Sequence, residues 1–115
     1  MPSRRPERVS GALLETIAEV VVREVKDPRV SRVTLTGASI SPDLKTAKVF
    51  FTTRSSEEQA AALAGLQSAT GYIKRQVPGR LRLRHTPDLH FLYDTTLDKA
   101  ARLENLLRQA EEKEK

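Results

Sequence analysis

His85 and His90 are the side chains of this sequence best suited to bind a metal or transfer a proton. Neither stands beside a cysteine, an E-x-x-H arrangement or an aspartate cluster, so their surroundings predict no metal site. Ser10, Ser31 and Ser41 have no histidine at the spacing of a nucleophile motif, and the sequence has no glycine-rich phosphate loop. We therefore expect a protein that is not an enzyme and that holds no cofactor.

A run of basic residues without any acid is the strongest chemical signal in the chain. Residues 59–87 contain no aspartate or glutamate, and the net charge of +5 is concentrated there. Nucleic acids select such a concentration of positive charge, although a solvated basic face would also produce it. Phosphate contacts by five basic side chains would give a salt slope of about −4 to −5 on a duplex. The predicted RNA-binding residues of this run are Lys74, Arg75, Arg80, Arg82 and Arg84.

Four more arginines are candidates for the same role. Arg29 follows the helix stop Asp27-Pro28 but is not required by it, so Arg29 could pair with the aspartate or reach a phosphate. Arg4, Arg5 and Arg8 could extend the basic surface, or they could belong to a frayed terminus that only keeps the chain soluble. All four are included among the predicted RNA-binding residues.

The aromatic residues favour recognition of RNA shape over reading of single bases. Phe51, Phe91 and Tyr93 follow the buried parity of their predicted strands, which indicates core packing. Phe50 has the opposite parity, so it could stack on a base or lie partly covered on the surface. Recognition of the backbone and shape of a folded RNA fits this inventory better than base-by-base reading.

Length and composition indicate one domain in a reducing compartment. A chain of 115 residues can form a single core. We expect the domain to span residues 1–110 and a charged tail to fray over residues 111–115. The lack of cysteine excludes disulfides and thiolate metal sites and fits a cytoplasmic protein. No apolar run reaches the roughly 18 residues of a membrane span.

The hydrophobic pattern predicts an α+β fold. Residues 6–26 carry apolar side chains at helical spacing. Residues 33–40 and 47–52 alternate as a hairpin, and a change of parity at Gly37 indicates a β-bulge. Residues 89–93 form a third strand. One three-stranded sheet with helices on one face accommodates these elements.

Two interruptions are predicted between the second and third strands. Ala69-Thr70-Gly71 should kink or break the helix there, because glycine lowers helix stability. Pro78-Gly79 should end the helix, since a continued helix would place Arg84 against an apolar stripe without a partner. The chain beyond is predicted to be extended, with leucines on one side and arginines on the other. A last helix begins at Thr95-Thr96.

Several short segments, each weak alone, form a specific pattern through their order and spacing. They are Asp27-Pro28-Arg29, Val33-Thr34-Leu35-Thr36, Ser41-Pro42-Asp43-Leu44, Ala47-Lys48-Val49, Ala69-Thr70-Gly71-Tyr72-Ile73-Lys74, the stretch from Leu81 to Phe91, and Tyr93-Asp94. From Arg8 to Leu107, the chain closely resembles the bacterial ribosome-binding factor A family.

The resemblance implies a type II K-homology fold with an A-x-G kink, here Ala69-Thr70-Gly71, instead of the G-x-x-G loop that grips single strands. It implies a non-catalytic monomer that binds free 30S small ribosomal subunits, through 16S rRNA around the decoding-centre helices, during late maturation. It also implies support for processing of the precursor 16S rRNA and for growth in the cold. Neither a membrane nor a small-molecule substrate is expected.

Two other functions stay open at the level of sequence. A protein-binding adaptor could use the first or the last helix as its docking face, and its binding would be nearly indifferent to salt. A general single-stranded RNA chaperone would bind short unstructured oligonucleotides as well as it binds ribosomal subunits.

Overall fold

The structure is a computed structural model that describes the backbone of residues 5–113 and the side chains of residues 6–113. Short 3-10 turns lie at Pro28–Val30, Ser56–Glu58 and Val77–Gly79. The longer elements are α1 (Arg5–Arg23), β1 (Thr34–Ile40), β2 (Thr46–Thr52), α2 (Gln59–Gln76), β3 (Asp88–Tyr93) and α3 (Thr96–Lys113). This order confirms the predicted α+β class.

The first helix follows the predicted apolar stripe. Leu13, Ile17 and Val20 are fully buried, one helical turn apart. The helix ends at Arg23, three residues before the predicted end at Lys26. Asp27 has an extended backbone (φ −96°, ψ 120°), because the residue before a proline avoids helical backbone angles. It therefore separates α1 from the 3-10 turn Pro28–Val30.

The three strands form one sheet in the order β1-β2-β3. The β1–β2 pair is antiparallel, and the β2–β3 pair is parallel. In the first pair, Leu35 lies opposite Phe51 but Gly37 lies opposite Phe50, so Thr36 is the extra residue of a β-bulge. The bulge predicted from the parity change at Gly37 is therefore confirmed.

The core lies between one face of the sheet and the helices α1 and α2. Phe51 from the central strand is fully buried and meets Tyr93 edge to face, with 5.6 Å between ring centroids. Phe50 and Leu92, neighbours on β2 and β3, lie on the opposite face, as their parity predicts. The principal buried residues are Leu13, Ile17, Val20, Val49, Phe51, Leu66, Ile73, Val77 and Phe91.

The predicted break at Ala69-Thr70-Gly71 is wrong, because α2 passes through these residues without interruption; the alternative, a kink within a continuous helix, stays a prediction. A single glycine costs a helix only about 1 kcal/mol relative to alanine. Burying Ile73 and Val77 beyond it contributes about 1.5–3 kcal/mol each. Tertiary packing therefore outweighs the local preference, and the Thr70 hydroxyl, which donates to the Leu66 carbonyl at 2.8 Å, is accommodated within the helix.

A different glycine, Gly65, has a structural role that the sequence did not reveal. It is buried where α2 meets the turn Pro28–Val30. A Cβ atom at Gly65 would lie 2.8 Å from Val30 Cγ1 and 3.1 Å from Arg29 Cβ. The helix and the turn can therefore approach this closely only because position 65 has no side chain.

The last helix differs from the other two because none of its residues is buried. Residues 111–113 of the predicted tail form its end, while residues 114 and 115 lie outside the described residues. Its leucines are largely exposed: Leu97 76%, Leu103 58%, Leu106 62% and Leu107 57%. No helix in the described range 5–113 is long and apolar enough to cross a membrane.

Candidate nucleic-acid interface

The segment that follows α2 presents arginines outward on an anchored backbone. The 3-10 turn Val77–Gly79 ends the helix, as predicted from Pro78-Gly79. Leu81 and Leu83 are partly buried against the core, whereas Arg80, Arg82 and Arg84 are exposed. The predicted separation of leucines and arginines is therefore present, although the segment is irregular and is not a strand.

Three arginines of this region, Arg75, Arg82 and Arg84, form no ion pair with any carboxylate among residues 6–113. We call them the free arginines. The Arg75 side chain extends along α2 toward Gly71. A Cβ atom added at Gly71 would lie 3.4 Å from Arg75 Nη1. Arg84 lines a cavity of about 230 Å³ beside the β1–β2 turn. These three guanidinium groups are available to bind phosphate oxygens.

Lys74, in the last turn of α2, is paired instead of free. Its Nζ atom donates to Asp88 Oδ1 at 2.6 Å. The hydrogen bond and the charge of the ammonium lower the pKa of the Asp88 carboxyl. The lysine therefore contributes less positive charge to the surface than its sequence context predicted.

Arg80 is also held by a carboxylate from a distant part of the chain. Its Nη2 atom lies 2.6 Å from Glu24 Oε2, and the Tyr72 hydroxyl donates to Glu24 Oε1 at 2.8 Å. The hydrogen bond from Tyr72 is the largest effect on the pKa of Glu24 and lowers it; burial opposes this effect, and the hydrogen bond and charge of Arg80 lower the pKa further. The same contact with Glu24 raises the pKa of Tyr72. This cluster joins the end of α1 to α2 and to the segment beyond it.

Arg29 pairs with Asp27, which was one of the two alternatives for this residue. Its Nε atom lies 3.1 Å from both carboxylate oxygens, and its Nη2 atom lies 2.7 Å from Oδ2. The Arg29 backbone N–H also donates to the same carboxylate at 2.9 Å. These bonds lower the pKa of Asp27. The guanidinium of Arg29 thus stabilises the turn that packs on Gly65.

Among the three amino-terminal arginines predicted to bind RNA, the side chain of Arg8 is described, and it lies away from this surface. Arg4 and the side chain of Arg5 lie outside the described residues, and Arg8 is exposed in the first turns of α1. Sixteen residues separate Arg8 from Glu24, so a helical rise of about 1.5 Å per residue places them about 24 Å apart. Arg8 would therefore contact a different part of any bound RNA.

Glu24 and Asp88 are the residues of this surface that sequence reasoning missed. Both lie outside the acid-free run 59–87, and the fold returns them to its basic side chains. Tyr72 belongs to the motif Ala69–Lys74, which predicted no contact for its hydroxyl. His85 and His90 are exposed, and no group of three potential metal ligands forms among the described residues.

Comparison with known proteins gives one consistent result. Residues 5–107 match the family model described as ribosome-binding factor A. The ribosome-binding factor A of Thioalkalivibrio sulfidiphilus is 48% identical over 107 residues, which cover 92% of this chain and 83% of that protein.

Solved structures show the same relationship in the fold. The crystal structure of ribosome-binding factor A from Thermus thermophilus superposes with a TM-score of 0.68 at 26% identity, covering 76% of this chain and 93% of that one. A homology model of the Thermus thermophilus protein, fitted into a cryo-EM map of its complex with 30S, superposes at 0.59 with 24% identity, covering 82% and 96%. The predicted K-homology-like architecture is therefore confirmed, and this chain belongs to the ribosome-binding factor A family.

Proposed function

We propose that this protein binds the small ribosomal subunit through phosphates of its 16S rRNA, and that the free arginines carry the contact. The supporting observation is that Arg75, at the end of α2, and Arg82 and Arg84, on the segment whose leucines are anchored in the core, form no ion pair with a carboxylate of the described residues 6–113. Family membership agrees with this role, since the relatives are named for binding the ribosome.

The affinity of binding through these side chains comes from electrostatic attraction, and its specificity comes from the geometry of the surface. Each phosphate neutralised by an arginine releases condensed counterions, so affinity falls as salt rises. Three contacts would give a slope of about −2.7 on a duplex, smaller than the value for five. Because α2 positions Arg75 while Leu81 and Leu83 anchor the backbone that carries Arg82 and Arg84, only an RNA surface with matching phosphate positions would engage all three.

The finer role follows from the same surface. We propose that the protein is a cytoplasmic, non-catalytic monomer that engages free 30S subunits containing precursor 16S rRNA during late maturation. Holding neighbouring RNA helices in place would support processing of the precursor and growth in the cold. Release requires a competing state of the subunit or an energy-using partner.

The direct test is co-sedimentation of the purified protein with 30S subunits at low salt. The triple variant R75E/R82E/R84E should lose association while its thermal unfolding stays close to that of the wild type. The matched control is R54E/K99E/R102E, which makes the same change of net charge at exposed positions elsewhere. Retained binding by the first variant, or equal loss in both, would contradict the assignment of the surface.

A second candidate function is supported by α3. Its exposed leucines are the contacts that an adaptor would offer to a protein partner. In that case L103Q/L107Q would remove binding, whereas the arginine variants and added salt would change it little. The same sedimentation assay distinguishes the two functions.

A further inference from the structure

We propose that Glu24 sets the RNA affinity of this surface by competing with phosphate for Arg80, an inference that rests on the proposed function. Glu24 lies just after the last residue of α1, and its two carboxylate oxygens have different partners. Oε2 lies 2.6 Å from Arg80 Nη2, and Oε1 accepts from the Tyr72 hydroxyl at 2.8 Å.

The chemistry of this cluster matches that of a phosphate site. A guanidinium group binds carboxylate and phosphate oxygens with the same charge-assisted geometry. A tyrosine hydroxyl also donates to phosphate oxygens in nucleic-acid complexes. Arg80 and Tyr72 therefore form a pair of anion-binding donors, and Glu24 occupies the position that an RNA phosphate would need.

The ion pair is partly open to solvent. The side chains of Arg80 and Glu24 retain 34% and 24% of their exposure, so an incoming phosphate can reach the guanidinium group. Glu24 also lies in a turn beyond the helix instead of within it. An incoming phosphate can thus displace the glutamate without unfolding an element of the core.

Lys74 and Asp88 repeat the arrangement at the start of β3. Their atoms are 2.6 Å apart, and the Asp88 side chain is 70% exposed. Two of the five basic residues of the acid-free run therefore reach RNA only by exchanging a carboxylate, while the free arginines engage it directly. The carboxylates weaken binding, which favours release of the protein from its site.

The test compares E24Q with the matched control E19Q in a binding titration with 30S subunits. Both variants remove one negative charge, but within the described part of the chain Glu19 pairs with Arg23 alone, on the exposed face of α1. Glutamine at position 24 can still accept the hydrogen bond from Tyr72. We expect E24Q to bind about fivefold more tightly, the gain of one uncompensated phosphate contact, and E19Q to change affinity less than about twofold.

A double-mutant cycle assigns the effect to Arg80. The gain from E24Q should disappear in the R80Q background, and D88N should give a second, additive gain through Lys74. The inference is overturned if E24Q and E19Q bind alike, if E24Q binds more weakly, or if the gain persists without Arg80. Wild-type protein that fails to bind subunits at all would instead overturn the proposed function, and the inference with it.

Discussion

Two proline-containing 3-10 turns, Pro28–Val30 and Val77–Gly79, illustrate how neighbouring residues decide what an arginine does. Both turns adjoin α2. Arg29 lies within the first turn, and Arg80 directly follows the second. In the first, Asp27 caps the turn and binds Arg29 through both oxygens. In the second, the cap carries no acid: Arg80 binds Glu24 from a distant part of the chain, and Arg82 and Arg84 form no ion pair with any carboxylate among residues 6–113. The first turn is therefore structural, whereas the second supplies a binding surface.

The largest effect should come from breaking the first turn at its contact with α2. G65A would place a Cβ atom 2.8 Å from Val30 Cγ1, in a buried and stiff environment. We expect a loss of about 1–3 kcal/mol in the free energy of unfolding, measured by urea denaturation.

The matched control for that substitution is G71A in the same helix. A Cβ atom there meets only Arg75 Nη1, at an ordinary 3.4 Å. G71A should therefore stabilise the protein by up to about 1 kcal/mol. A stabilising G65A would mean that α2 and the turn are not as closely packed as the structure has them.

The contrast between the turns should also appear in binding. R82A removes one phosphate contact, so we expect about fivefold weaker association with 30S subunits and a salt slope smaller by about 0.9, with unchanged unfolding. R29A removes the partner of Asp27, so it should lower the melting temperature and leave affinity for subunits intact. Equal effects of both variants on subunit affinity would show that the two turns are not functionally distinct.

The smallest expected effect is on how steeply the stability of the protein falls at acidic pH. The pKa of Asp27 is lowered in the folded protein, chiefly by its hydrogen bonds from Arg29. The stability that ionised Asp27 contributes is therefore fully present above the ordinary carboxyl pKa. It is lost as the pH falls through the lower pKa that Asp27 has in the folded protein.

Variant D27N should consequently show a shallower loss of stability in acid than the wild type, measured by thermal unfolding between pH 6 and pH 2. The control is E15Q, which removes an exposed carboxylate of α1 that makes no ion pair among the described residues. An acid limb of D27N as steep as that of E15Q would contradict the role of this ion pair.

Local pattern was enough to predict most of the fold. Alternation placed Phe51 and Phe91 in the core and Phe50 outside it, and Gly37 marked the bulge. The stop at Pro78-Gly79 followed from the apolar stripe against which a continued helix would place Arg84. Each of these features depends on residues that are close together in the chain, so it can be predicted from a single sequence.

The predictions that were wrong or incomplete concern contacts between residues that are distant in sequence. Arg80 appeared to be a free cation because no acid lies near it in the chain, yet Glu24 reaches it across the fold. The continuity of α2 at Gly71 depends on burial of Ile73 and Val77 beneath it, which local propensity does not report. A stripe of leucines predicted the last helix, but no sequence pattern states whether that stripe is covered.

Binding through this surface is tested most directly by the salt dependence of association with 30S subunits, comparing the wild type with R75E/R82E/R84E. Counterion release predicts a log–log slope between about −2.7 and −4.5 for the wild type, the steeper value applying if Arg80 and Lys74 also reach phosphates. The triple variant should show little residual binding and a slope less steep than that of the wild type by about 2.7. A wild-type slope near zero, or a triple variant that keeps the wild-type slope, would contradict binding through this surface.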